Sequence, residues 1–238
     1  MCGRFALLTH AEALIERFEI EEVIKRPEPR YNIAPSQNVA VVVQREKRQL
    51  TEMRWGLVPF WAEDVSIGNR MINSRVETVA EKPAFRNAFK KRRCLILADG
   101  FYEWQKVGKV KVPTHIRLKS RKPFAFAGLY EYWKTKSGKT LESCTIITTT
   151  PNKVLKPIHH RMPVILSPED EKTWLSPESQ DREQLLSLLK PYTAEPMEAY
   201  EVSDFVNSPI NQGPLCTKPV NTLKVDFTDE LSVSSGNT

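Results

Sequence analysis

Glycine is scarce in this chain, at 9 of 238 residues, and none of it forms a phosphate-cradling loop. Folds that hold a nucleotide cofactor on a Gly-rich strand-to-helix turn are thereby disfavoured. Cysteine is scarcer still: Cys2, Cys94, Cys144 and Cys216, at wide and irregular gaps. Neither a Cys-x-x-Cys pair nor a His-x-x-x-His pair occurs, so no metal and no other cofactor is expected. No apolar run reaches the ~18 residues of a membrane-crossing helix. Met1 to Glu16 lacks the charged start, apolar block and small-residue cleavage site of a secretory leader. The expected compartment is therefore the cytosol, where thiols stay reduced. A strong charge of one sign is also missing. Lys plus Arg is 35 and Asp plus Glu is 29, a net +6. That balance permits a polyanionic partner without demanding one.

What is present reads as one globular α+β domain. Apolar residues make up 40% of the chain and charged residues 27%, and the length suffices for a sizeable core without a disulfide or metal staple. No repeat and no Gly/Ser linker divides it, so the domain is placed at 2–224 and a loose polar tail at 225–238. Thr9 with Glu12 spells a capping box, followed by a helix from His10 to Phe18. Strands are expected at Val39–Val43, around Thr51–Leu57, and at Cys94–Ala98, which ends at the turn signal Asp99-Gly100. Further strands follow at Phe101–Trp104, His115–Leu118, Phe124–Tyr132 and Cys144–Thr149. Ser167-Pro168-Glu169-Asp170 starts a helix, and a later one carries Leu185, Leu186, Leu188 and Leu189. Many short strands with few crossovers predict a largely antiparallel, barrel-like core with peripheral helices.

The chemistry starts at Cys2. Removal of Met1 by methionine aminopeptidase leaves a residue bearing both a thiol and a free α-amine. Such a 1,2-aminothiol condenses with an aldehyde to an imine, and the thiol then closes a five-membered thiazolidine. Ring closure is intramolecular and gains effective concentration. The α-amine has an ordinary pKa near ~8, so part of it is neutral at physiological pH. Arg4, two residues on, is placed to raise the thiolate fraction. Cys2 also reads as an incidental residue on a frayed end, but Gly3, Arg4 and Phe5 are poor choices for a solvated tail.

Four further segments supply candidate partners. Glu103 is an acid inside the aromatic run Phe101-Tyr102-Glu103-Trp104, where desolvation raises a carboxylate's pKa toward proton-transfer use. It also reads as the outer face of a half-buried strand. Period-two alternation puts Phe101 and Glu103 on one face and Tyr102 and Trp104 on the other. His159 and His160 are adjacent and expected to point apart, so at most one faces a site; a polar loop is the alternative. Asn73 offers donors and an acceptor to fix an amine or carbonyl, and Arg75 a fork for phosphate. The same stretch also reads as a helix cap with a surface helix. Phe60 and Trp61 are candidates for base stacking, and Lys90-Lys91-Arg92-Arg93 is a cationic run or a solvated loop.

Six ordered motifs carry a resemblance. Cys2-Gly3-Arg4-Phe5, Tyr31-Asn32-Ile33-Ala34-Pro35, Trp55-Gly56-Leu57-Val58-Pro59, Asn73-Ser74-Arg75-Val76-Glu77-Thr78, Asp99-Gly100-Phe101-Tyr102-Glu103-Trp104 and His159-His160-Arg161-Met162-Pro163 resemble the SRAP (SOS-response-associated peptidase) family. The resemblance spans residue 2 to about Pro219. It implies a barrel-like α+β domain that binds single-stranded DNA and attaches the processed cysteine to the aldehyde of an abasic site. By the same resemblance Cys2 is the crosslinking residue and Asn73 orients the terminus. Glu103 is the acid of proton transfer and adduct reversal, and His159, rather than His160, promotes sugar-ring opening or imine chemistry. Arg75 and Arg161 lie near the lesion phosphates, and Arg4 and Asn32 line the cleft. The expected state is a monomer in the cytoplasm, on the nucleoid when DNA-bound. Two other functions fit the residues: a cysteine peptidase using Cys2 with His159, and a non-covalent single-strand binder using Phe60, Trp61 and the basic residues.

Overall fold

A computed structural model of the chain describes residues 2–135, 137–179 and 181–220. The expected tail at 225–238, and the last residues of the expected domain, lie outside that set. Among the described residues no helix is long and apolar enough to cross a membrane.

The core is a closed five-stranded barrel. Its strands are β4 (Asn38–Gln44), β5 (Arg48–Trp55), β7 (Arg93–Ala98), β10 (Phe124–Lys134) and β11 (Thr140–Thr149). β4 pairs with β5 and β7, β7 with β10, and β10 with β11, all antiparallel. The ring closes through β11 and β5, which run parallel, with Ser143 opposite Arg54 and Cys144 opposite Trp55. Five strands cannot alternate direction all the way round, so one parallel pair is a geometric necessity. β4 and β7 read as unbroken apolar runs because residues on both of their faces are buried. β5 alternates, burying Met53 and Trp55 while Glu52 and Arg54 stay half-exposed.

A second, five-stranded sheet leans on this barrel in the order β13 (Met197–Glu201), β9 (Val110–Leu118), β8 (Gly100–Val107), β1 (Phe5–Leu7), β3 (Arg30–Ile33). β1 lies inside it, pairing Phe5 with Phe101 on one side and with Ile33 on the other. Phe5 then reaches into the barrel core, its ring 5.1 Å from Trp55 and 5.8 Å from Phe126. Phe101 joins the same core, while Tyr102 and Trp104 face a smaller cluster with Ala6, Val202, Val206 and Cys216. The alternation expected for β8 is thus the observed one. The chain passes from barrel to second sheet at Asp99-Gly100. Gly100 is needed there, because a Cβ would lie 2.4 Å from His115 Nε2.

Short strands β2 (Glu22–Val23), β6 (Asn73–Arg75) and β12 (Met162–Pro163) add to the barrel sheet. Helices α1 (Ala11–Arg17), α2 (Arg86–Lys91), α3 (Pro168–Leu175) and α4 (Arg182–Ser187) lie around the periphery. Ser167 caps α3 as expected, its hydroxyl accepting from Asp170 N. The capping box at Thr9 does not form. The Thr9 hydroxyl and N–H both bond Asp99, at 2.7 and 2.8 Å, and Glu12 pairs with Arg26. A tertiary carboxylate has outcompeted the local cap. α4 also ends earlier than the leucine pattern implies, before Leu188.

Candidate functional site

Cys2 precedes β1 and is held where β1 and β6 approach one another. Its backbone carbonyl accepts a 2.8 Å hydrogen bond from Asn73 Nδ2. Asn73 is placed by β6, which runs parallel to β11 with Asn73 opposite Ile146. It belongs to a strand, not to the surface helix that the sequence also allowed. The Cys2 side chain is 0% exposed. The terminus is therefore anchored rather than frayed.

Glu103 comes to the same place along β8, two residues beyond the Phe101 that faces Phe5. It is buried, and its Oε1 lies 4.0 Å from His159 Nδ1. His159 is held in turn by its backbone N–H to Leu155 O at 2.8 Å. Its Nδ1 sits 3.0 Å from Arg161 N. One cluster thus gathers Cys2, Asn73, Glu103 and His159 from four separate segments.

Burial sets the protonation states. It raises the Glu103 carboxyl above its ordinary range, so the acid form persists to higher pH. It lowers the His159 imidazole, against a hydrogen bond with Arg161 that favours the charged ring. A carboxylic acid inclined to keep its proton thus stands beside a ring inclined to be neutral, and between them they can give and take protons. The Cys2 thiol is pushed up, first by burial and then by the Glu103 charge. The sequence-based expectation that Arg4 would favour thiolate is not met. Arg4 Nη1 instead donates to Asn32 Oδ1 at 2.8 Å and to Val206 O at 2.7 Å, and its guanidinium lies 5.7 Å from the Trp104 ring.

The other predicted residues divide. Asn32 is fully buried, and its Nδ2 donates to Val206 O, Ser208 O and Asn211 O. It is a brace behind Arg4 rather than a wall of a cleft. Arg161 is buried with its fork on Glu77 and on Thr148 O. Arg75 is exposed. The His159 and His160 rings do not point apart; they stack, centroids 4.3 Å apart. Phe60 and Trp61 are 57% and 49% exposed. Phe60 shares a recess with Lys90, Lys91 and Arg92. Arg93, expected as part of a surface run, is buried and donates to the carbonyls of Trp174, Phe89, Lys90, Ser176 and Ser179. Sequence reasoning missed Glu77 and Thr148 as the groups that hold Arg161. Glu77 stood inside a quoted motif, but nothing local pairs it with a residue 84 positions away.

Comparison with known proteins places this arrangement among relatives. The family described as SOS response associated peptidase (SRAP) matches residues 1–209. A Bacillus subtilis protein called abasic site processing protein YoqW is 51% identical over 218 residues, covering 90% of this chain and 97% of that protein. The Gallus gallus abasic site processing protein HMCES is 32% identical, covering 82% of this chain and 67% of its own length. A crystal structure of a Bacteroides thetaiotaomicron protein superposes with a TM-score of 0.83 at 30% identity, over 92% of this chain and 99% of that one.

Proposed function

Because the chain belongs to the SOS response associated peptidase (SRAP) family, we propose that it captures abasic sites in single-stranded DNA through the aminothiol of Cys2. The observation that carries this reading is the 2.8 Å bond from Asn73 to the Cys2 carbonyl, which holds residue 2 within the Glu103–His159 cluster. The names of the relatives, abasic site processing proteins from a bacterium and a bird, support it.

The steps follow from the chemistry of the groups. Loss of Met1 frees the α-amine. Neutral His159 accepts the anomeric hydroxyl proton of the closed sugar and returns it to the ring oxygen as the C1–O bond breaks, so the sugar opens to the aldehyde and His159 is neutral again. The amine nitrogen adds to the aldehyde carbon, and the resulting carbinolamine loses its hydroxyl as water with a proton from Glu103. The Cys2 sulfur then adds to the imine carbon, and its proton passes to Glu103, which is restored. A C–N and a C–S bond form, one water leaves, and nothing is oxidised or reduced. Selectivity lies in the aldehyde, which intact DNA lacks, and an unpaired strand lets the damaged sugar enter without duplex opening. A thiol held protonated by burial suits this route better than peptide hydrolysis, which begins with thiolate.

The test is direct. After intact mass has established the loss of Met1, the protein is mixed with an abasic single strand and run under denaturing conditions. The expected product is a stable adduct whose mass is the sum of the two partners less one water. Cys2→Ala gives none; a Cys2→Ala protein that kept the stable band would refute the assignment.

A further inference from the structure

β8 does not stop at the candidate site. Beyond Glu103 it continues through Trp104, Gln105, Lys106 and Val107, turns at Gly108 and Lys109, and returns as β9. Gly108 takes φ +60, and nothing lies within 4 Å of where its Cβ would stand, so the turn is open on that side. Here the hairpin is paired only with itself. β1 reaches no further along β8 than Phe101, and β13 reaches no further along β9 than Thr114. Gln105 is still tied down, its Nε2 donating to Pro157 O at 3.2 Å, and the exposed ribbon from Lys106 to Lys111 projects beyond it.

Its register sets Lys106 directly opposite Lys111 and Val107 opposite Val110. Like charges facing across a strand pair are destabilising. Elsewhere the molecule avoids this: on the same β9, Arg117 faces Glu198 and forms a 2.7 Å ion pair. Among the described residues, none of Lys106, Lys109 and Lys111 has an ion-pair partner. Side-chain alternation puts Lys106 on the face of Trp104, over which the Arg4 guanidinium lies. Arg4, Trp104, Lys106 and Lys111 share one face of the ribbon, the face turned from Glu103, and the strand carries the two lysines outward beyond the site. Lys106 is roughly 10 Å of strand beyond Glu103, at ~3.3 Å per residue.

The geometry points to this hairpin as a cationic finger that holds the backbone of single-stranded DNA flanking the lesion. The inference rests on the reading that the chain captures abasic DNA. A row of phosphates supplies the negative charge that the Lys106–Lys111 pair lacks within the protein. The contacts are sequence-independent, and their purpose is to keep the damaged strand beside Cys2 while ring closure completes.

The experiment compares the parent with Lys106→Gln/Lys109→Gln/Lys111→Gln and with the triple arginine replacement. Affinity for a long abasic single strand is followed across salt concentration, and capture of an abasic trinucleotide, too short to reach the finger, is timed separately. The glutamine variant is expected to flatten the plot of log affinity against log salt by about 2, since each single-strand phosphate contact contributes about 0.7. Its trinucleotide capture and Tm should equal or exceed the parent's, because a repulsion has been removed, and the arginine variant should restore the slope. An unchanged slope in the glutamine variant, with a parent that captures both DNAs, overturns the finger alone. A glutamine variant that loses trinucleotide capture and Tm together also overturns it, since the loss is then one of folding. A parent that captures neither DNA overturns the underlying reading, and the finger with it.

Discussion

Glu103 shows how one residue's surroundings decide its chemistry. A glutamate on an exposed strand face is ionised at neutral pH, but burial favours its neutral form. In the proposed reaction that neutral form is the acid. Capture then depends on two opposed titrations. The amine must be neutral, which improves as pH rises toward ~8, and Glu103 must hold its proton, which worsens as pH rises through its raised pKa. The parent's single-turnover capture rate should therefore pass through a maximum and fall on the alkaline side. Glu103→Gln should be slower by roughly 10²-fold or more and should lose that alkaline fall, leaving a profile that only rises. Arg161 and Asn32 carry the opposite lesson. Their side chains are committed to Glu77 and Thr148, and to Arg4 and the 206–211 carbonyls. Groups suited to gripping a ligand are here spent on partners within the protein itself.

Among the elements, β1 has the greatest effect for its length. Three residues suffice because the strand is inserted between β3 and β8 rather than laid on an edge. Phe5 fastens it to the barrel by edge contacts with Trp55 and Phe126. Removing a ring this buried costs about 3–5 kcal/mol. Phe5→Ala should lower unfolding free energy by that amount in urea titration. It should also slow capture in protein that is still folded, because the strand that presents Cys2 to Asn73 loses its anchor. The neighbouring hairpin of β8 and β9 follows the other rule: beyond the Gln105–Pro157 hydrogen bond, cross-strand pairs decide the stability of its tip. Its lysines are a cost to the fold that only a partner offsets.

For the molecule as a whole, the second sheet is held together internally by buried polar groups as well as by aromatic packing. His115 on β9 is enclosed beneath Gly100 and beside Tyr102, its Nδ1 2.9 Å from the Tyr200 hydroxyl. Burial depresses its pKa to about 3, whereas an unfolded histidine titrates near about 6.5. The sign follows. Above about pH 6.5 neither state binds the proton, and the full stability is present. As pH falls from there toward 3 the unfolded chain takes up a proton that the folded chain refuses, so stability is lost. Urea midpoints should decline through this window, and His115→Gln should decline less steeply, whatever its stability at neutral pH.

The strands of the barrel, the cap at Ser167 and the opposed faces of β8 were legible because each depends on neighbours a few residues away. Apolar runs and period-two alternation are local signals, and so is the identity of Cys2 as a residue that can carry two reactive groups. The helix start at Thr9 misled for the same reason: the local pattern was sound, but Asp99, distant in sequence, bonded the hydroxyl first. Ring closure through the parallel β5–β11 pair, the stacking of His159 on His160 and the pairing of Arg161 with Glu77 have no local trace. Residue types alone determined what chemistry this chain can perform. Which of those groups meet, and in what protonation state, was decided by the folded barrel, because proximity and desolvation are properties of the packed chain and not of its order.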